Sequence, residues 1–301
     1  MSIDVVVHAR PGEVVDFEAF CTYPDWSVAL DGYVHGPSRW DESNRHVTFD
    51  HHDNCDRYAT RATCEQVALA VQAGLLDTWE RAGCRTAMAW INDPDPDVAL
   101  SVWLLRHPEH VNNRDVAALI RCEGAIDTSG GCLVPGEAEP FELLGWVVEP
   151  WLRWRQGLDG RNGIAAVVEA VGERLDRFAA GRGGKARLDD AFEVLARHGR
   201  IAAVTEHTPL ARCRYAAAGI STFVAVRQRL EAHLRDVTVG RVSPWEGPDL
   251  ARAWDVLNDA EGIPPGSKDR WGGSDMIGGS PRSRGTGLDL DDVMSIIAAH
   301  E

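Results

Sequence analysis

The chain reads as an α/β protein: a mostly parallel sheet covered by helices, followed by a helical connection and a smaller α+β domain. Three observations predict this. Short apolar runs alternate with segments whose apolar residues recur at helical spacing, the pattern of strand–helix units in a parallel sheet. Acidic and histidine-rich motifs follow those runs directly, at the strand ends where such sheets build their sites. A length of 301 residues exceeds one small core and accommodates two domains.

In chain order, IDVVVHA (3–9), WSVALDG (26–32) and HVTFDHH (46–52) read as strands. TRATCEQVALAVQAGLL (60–76) carries helical spacing and ends near Gly83, RTAMAWIND (85–93) is a fourth strand, and DVALSVWLLRH (97–107) is a helix directly after it. These elements place a first domain at 1–140. From Phe141 to about His198 the pattern is mainly helical (ELLGWVVEPWLRWRQG, NGIAAVVEAVGERLDRFAAG, LDDAFEVLARHG), punctuated by Pro150 and the glycines at 181–184. That segment, 141–198, is the connecting region. The remainder, 199–301, mixes strands (IAAVTEH, STFVAVRQ, DVTVGRVS) with helices (DLARAWDVLND, LDDVMSIIAAH) as a smaller α+β domain. Trp146, Trp151 and Trp154 stand at near-helical spacing, which places them in a core or, alternatively, at an interface.

A hydrophobic fraction of 44% with 26% charged residues is that of a folded, water-soluble protein. No apolar run approaches the roughly 20 residues that span a bilayer. The start MSIDVVVHARPGE lacks a basic stretch followed by an apolar one, so the expected location is the cytoplasm. The seven cysteines form no CxxC pair and read mostly as small buried hydrophobes in a reducing compartment. The net charge of −15 argues against long duplex nucleic acid, whose binders cluster Lys and Arg. It suits a small anionic substrate drawn to a local cationic pocket and metal ions.

Two clusters carry chemistry. In HVTFDHHDN a strand ends and Asp50, His51 and His52 follow in succession. Carboxylate with imidazole suits manganese, iron or zinc. Adjacent side chains of an extended strand face opposite ways, but at a strand-to-loop corner the two histidines can diverge towards two metals, or towards a metal and a substrate oxygen. In INDPDPDVALS, Asp93, Asp95 and Asp97 alternate with prolines just before an apolar helix. At about 6 Å and an effective dielectric near 20, each like-charged pair costs a few kcal/mol, which cations relieve, while proline stiffens the loop. Alone, this second cluster would be an acidic turn capping the next helix.

Together the clusters resemble the DHH phosphoesterase family, which includes single-strand exonucleases, oligoribonucleases, inorganic pyrophosphatases and cyclic-dinucleotide phosphodiesterases. Asp50-His51-His52 is the motif that names the family, and Asp93-Pro-Asp95-Pro-Asp97 is similar to its D-x-D-x-D-G segment, with Ser101 where a small residue is usual. Asp31 in SVALDGY and Asp127 in CEGAIDTSGG match two further single-aspartate motifs, the latter looking like the G-x-x-x-D-T-G segment. TRATCEQVALAV resembles the small-residue helix that follows DHH in the family. The chain departs from the pattern in two ways: Val98 replaces the glycine after the third aspartate, and the aspartate-rich segment follows DHH instead of preceding it. Either a rearranged sheet reunites these strand ends, or VHARPGEVVD supplies the first motif through His8 and Asp16.

The resemblance implies hydrolysis assisted by two divalent ions, manganese above all, with magnesium, iron or zinc as alternatives. Asp31, Asp50, His51, Asp93, Asp95, Asp97 and Asp127 would hold the ions, and His52 with Asp50 would act at the reacting phosphate. In the family a second domain holds substrate through a Gly-rich basic segment, which WGGSDMIGGSPRSRGTG (271–287) resembles, with Lys268, Arg270, Arg282 and Arg284 as phosphate contacts. His207 is a further candidate. The expected partner is a small phosphorylated substrate, with a homodimer allowed and no membrane. The same cradle also admits a different small-molecule hydrolysis, or nucleotide and metal sensing without turnover.

Overall fold

The computed structural model describes residues 3–132, 138–158, 160, 163–186, 189–229, 233–267 and 269–301. It divides into two compact units, one of Met1–Thr128 with Pro135–Arg187 and one of Ser129–Val134 with Leu188–Glu301.

The first unit begins with strand β1 (Asp4–Ala9), helix α1 (Phe17–Phe20) and strands β2 (Ser27–Leu30), β3 (Arg39–Trp40) and β4 (His46–Phe49). Helices α2 (Thr63–Gln72) and α3 (Leu75–Arg81), strand β5 (Thr86–Ile91) and helices α4 (Pro96–Arg106) and α5 (Arg114–Thr128) follow. Helices α6 (Ala138–Val147), α7 (Glu149–Arg155) and α8 (Ile164–Ala179) complete it. The strand order is β1-β5-β2-β4-β3. Every pairing is parallel except β3 with β4. The fold is therefore mixed α/β with a mostly parallel first sheet, as the alternating pattern predicts.

Every residue of β2 and β4 is buried, as in a sheet covered on both faces. One face takes Phe17, Phe20 and Tyr23 against Ala29, Met88 and Trp90. Helices α4 and α8 pack on β1, and α2 on β4. The helical stretch 60–76 breaks at Gly74, whose φ of 85° is the left-handed region that glycine enters at low cost. The second break falls at Val148, with Pro150 early in α7, a position that needs no amide proton.

In the second unit, strands β6 (Phe192–His198), β7 (Ile201–Glu206), β8 (Thr222–Gln228) and β9 (Arg235–Arg241) precede helix α9 (Leu250–Ala260). Strands β10 (Gly272–Gly273) and β11 (Ile277–Gly279) and helix α10 (Leu290–Ala298) end the chain. The sheet runs β10-β11-β9-β8-β7-β6. One face packs Val224, Val237 and Val239 against Trp254, Leu257 and Ile297, and the other buries Phe223 against Tyr215 and Ile220. Residues 192–198, read from sequence as helical, are strand β6. Only Gly199 and Arg200 separate its paired end, His198, from Ile201, and Gly199 has φ 60°. A two-residue turn with glycine first favours a hairpin, and this pairing overrides the helical spacing of the apolar residues. Gly240 faces Phe223 across the β8–β9 ladder, and a Cβ there would meet the ring at 2.4 Å. Gly240→Ala is expected to lower stability by about 1–3 kcal/mol through overpacking. Thermal denaturation checks this, and an unchanged midpoint would show that the ring yields freely.

Candidate metal centre

Three neighbouring strands end at the same edge of the first sheet, and each delivers an acidic residue there. Asp31 follows β2 with φ 51°, a left-handed conformation that Asp tolerates better than most residues, and its amide donates to the Phe49 carbonyl at 2.9 Å. Asp50, His51 and His52 follow β4. Asp93, Asp95 and Asp97 follow β5 and lead into α4. Because β2 lies between β5 and β4, segments far apart in sequence become adjacent. The fourth contribution, Asp127, comes from the last turn of α5, not from a strand end as its motif suggests. The buried residues Val116, Leu119, Ile120 and Glu123 recur at helical spacing, and that stripe fixes the helix.

Asp31, His51 and His52 form one group of potential donors, and His51, Asp97 and Asp127 a second; within each, the donor atoms lie within 4.8 Å of one another. His51 belongs to both. Its side chain is fully buried, and Nε2 faces carboxylate oxygens of Asp31 at 3.6 Å, Asp97 at 3.7 Å and Asp127 at 2.6 Å. Neither ring nitrogen makes a directed hydrogen bond, and Asp50 Oδ2 is likewise buried without a partner. The close Asp127 contact is thus an ion pair with poor hydrogen-bond direction. Buried polar atoms normally find partners, so lone pairs converging on a shared imidazole fit a divalent cation. These buried Asp and His groups can hold a metal ion.

The two histidines diverge. The ring planes meet at 70°, and the His52 side chain is 37% exposed while His51 is sealed. His52 Nδ1 meets Asp50 Oδ1 at 3.0 Å and Asp31 Oδ1 at 3.3 Å. Asp50 Oδ1 also accepts the amides of His51 and His52, so Asp50 fixes the corner itself. Burial opposes a charge on His52, but Asp31 and Asp50 outweigh it and push the ring up to about 11. Burial also opposes charge on His51, and Asp127 and Asp31 again raise it. Burial, then the charges of Asp31 and Asp127, push Asp97 up to about 7. Asp95 is raised by burial and by Asp31, Asp93, Asp127 and Asp97, while it caps α4 by accepting the Val98 amide at 2.8 Å. Val98 is therefore an ordinary buried helical residue, and no glycine is needed there.

Sequence reasoning missed several residues at this edge. Arg57, buried, places Nη2 on both Asp127 carboxylate oxygens at 3.2 and 3.1 Å and on the Asp127 carbonyl at 3.0 Å. Thr63 joins Asp31 to Asp97. Glu123, one turn before Asp127, is held well above the usual carboxylate range by burial and by Asp127, Asp97 and Asp31. An arginine five positions after His52 was the available signal. His8 stacks on Trp90 at 4.3 Å, and neither His8 nor Asp16 joins a donor group among the described residues.

The residues assigned to substrate lie in the second unit. Arg282 and Arg284 are exposed, on a loop whose carbonyls at Arg282 and Ser283 accept from Arg229. Arg270 pairs with Asp255 at 3.2 Å, and Lys268 lies outside the described residues. His207 pairs with Asp189 at the surface. All seven cysteines are free. Among the described residues no helix is long and apolar enough to cross a membrane.

No protein-family model matches the sequence, and no curated protein matches it. Among solved structures, the chain is similar to a pGpG-specific phosphodiesterase, PggH from Vibrio cholerae, with a TM-score of 0.38 and 9% identity over 92% of this chain and 99% of that one.

Proposed function

We propose that the chain is a metal-dependent hydrolase of phosphoester or phosphoanhydride bonds in a small anionic substrate such as a short oligonucleotide or a nucleotide. The observation that carries this reading is the pair of donor groups sharing His51 at the carboxyl edge of a parallel sheet. Asp31, His51, His52, Asp97 and Asp127 would hold divalent ions, with Asp93 and Asp95 adding negative charge beside them. The mixed carboxylate and imidazole donors suit manganese first, and iron, zinc or magnesium next. Divalent ions bound here would supply charge neutralisation at phosphoryl oxygens and a water acidic enough to serve as nucleophile near neutral pH.

The remaining work falls to side chains. Asp50 holds His52 by the Oδ1–Nδ1 contact, leaving the Nε2 N–H of the partly exposed ring to hydrogen-bond a phosphoryl oxygen. Arg57 offsets part of the negative charge at Asp127 and keeps that carboxylate oriented towards His51. A chain of net charge −15 repels long polyanions, so anchorage extends to one or two phosphates.

The test is metal-free protein supplied with Mn2+ against pyrophosphate, cyclic dinucleotides, nucleoside bisphosphates and short oligonucleotides such as pGpG. Turnover of one class, abolished by chelation, is expected, with oligonucleotide activity declining beyond a few nucleotides and depending weakly on salt. Preference for long single strands with steep salt dependence would replace this reading by an exonuclease. Metal and nucleotide binding without turnover would replace it by a sensor.

A further inference from the structure

We propose that Thr63 is a positioning residue that sets Asp31 and Asp97 at the spacing the two donor groups need to hold divalent cations. The inference rests on the metal-site reading above and adds a residue that belongs to neither group.

Thr63 is fully buried and opens α2. The residue at the helix cap, Ala62, has no side-chain oxygen, so the first amides of α2 need an acceptor from elsewhere. Asp97, in the first turn of α4, supplies it: Oδ2 accepts the Thr63 amide at 2.7 Å and Oδ1 accepts the Cys64 amide at 2.6 Å. Each carboxylate oxygen has two lone pairs, so one on each is engaged by α2 and the other stays available. The Thr63 hydroxyl turns the other way and donates to Asp31 Oδ1 at 2.9 Å. One residue therefore fixes two carboxylates, one from the turn after β2 and one from α4. Asp31 serves the group with His51 and His52, and Asp97 the group with His51 and Asp127.

The sequence context favours this role over simple packing. The neighbours Ala62 and Cys64 and the inward-facing Val67 are apolar and buried, so a hydroxyl at 63 is the polar exception on that side of the helix. A buried hydroxyl needs a partner, and the one it has is a candidate ligand. Valine would fill the same space without the donor. Outer partners of this kind hold ligand orientation, and their loss weakens metal binding by roughly 10–100-fold.

The experiment is calorimetric titration of full-length protein with Mn2+, on wild type, Thr63→Val, Thr63→Ala, Thr63→Ser and, as reference, Asp31→Ala. Thr63→Val and Thr63→Ala should each raise Kd at least about tenfold, while Thr63→Ser, which keeps the hydroxyl, should stay within about threefold of wild type. Thr63→Ala removes the same donor without a branched side chain, so the comparison survives if the valine variant does not fold. Wild-type binding that Asp31→Ala abolishes upholds the metal site itself. If that holds and both hydroxyl-free variants bind as wild type does, Thr63 has no positioning role. The role is equally overturned if they lose only melting temperature in chelator with Kd unchanged, or if serine fails to rescue. Wild type that takes up no Mn2+ overturns both the site and the role of Thr63.

Discussion

His51→Ala is expected to abolish high-affinity metal binding and to reduce phosphoester turnover by at least about 10²–10³-fold, the loss typical of removing one preorganised charge-stabilising group. No other residue belongs to both donor groups, so a single truncation dismantles both. The same substitution should destabilise the metal-free protein, and the effect should depend on pH. Without the imidazole, the carboxylates of Asp31, Asp97 and Asp127 lose the cation they share, and only His52 beside Asp31 and Arg57 beside Asp127 remain. At about 4 Å and an effective dielectric near 20 each pair of like charges costs about 4 kcal/mol, and breaking a buried ion pair costs about 3–5 kcal/mol.

The sign follows from Asp97, which titrates at about 7 in the folded chain because of burial and the charges of Asp31 and Asp127, with His51 pulling it down. An unfolded aspartate titrates near 3.9. A carboxyl raised on folding weakens the fold once pH exceeds the unfolded value, increasingly until the folded value is passed. Loss of His51 raises Asp97 further, so the share of the added penalty that Asp97 carries should be absent below about pH 6 and grow as pH rises through the folded value of about 7. The lost pairing with Asp31 and Asp127, both held below the usual carboxylate range, is felt at acid pH as well. Melting curves in chelator on both sides of the folded value measure the difference. Adding Asp97→Asn should recover part of the loss, since the amide removes the charge and keeps one acceptor for α2. Full Mn2+ stoichiometry in His51→Ala, or a stability defect independent of pH, would contradict the assignment.

The placement of Asp31, Asp50–His52 and Asp93–Asp97 at strand ends was legible because each follows an apolar run short enough to be a buried strand. Their meeting was not, since strand order is set by long-range pairing that no local pattern encodes. The atypical order of motifs in the chain ceases to matter once β2 lies between β4 and β5. Val98 was an obstacle only while a glycine turn was expected; the helix begins earlier, at Pro96, with Asp95 as its cap. Asp127 was noticed by its motif alone, and the helical stripe upstream that carries it in the last turn of α5 was not read. Arg57 and Thr63 stayed hidden for another reason. A buried guanidinium or hydroxyl is defined by the carboxylates it meets in space, and in sequence it looks like any loop arginine or helix-start threonine. Strand β6 failed through competition, the helical spacing of 188–195 outweighing a two-residue glycine turn in plain view.

Affinity for Mn2+ should rise steeply with pH, and binding at neutral pH should release protons. His52 is raised to about 11, burial opposing its charge and Asp31 and Asp50 more than compensating, so at pH 7 the ring is an imidazolium. Only the neutral ring has a lone pair for a cation, so the proton must leave before His52 can act as a ligand. Asp97, at about 7, is half protonated at neutral pH and must lose its proton as well. Each displaced proton weakens apparent affinity about tenfold per unit of pH below the pKa of its site. The Kd should therefore fall most steeply between about pH 5 and 6.5, where His51, His52 and Asp97 all carry protons, and still by at least about tenfold per unit between pH 8 and 9, where His52 keeps its own. The stabilisation conferred by a fixed excess of Mn2+ grows with the ratio of concentration to Kd, so the metal-induced rise in melting temperature should be larger at pH 8 than at pH 6. Titrations in two buffers of different ionisation enthalpy count the released protons directly. Affinity that is flat across this range would place the ion away from both His52 and Asp97. Proton release that persists in His52→Ala but disappears in Asp97→Asn would assign the linkage to the aspartate alone.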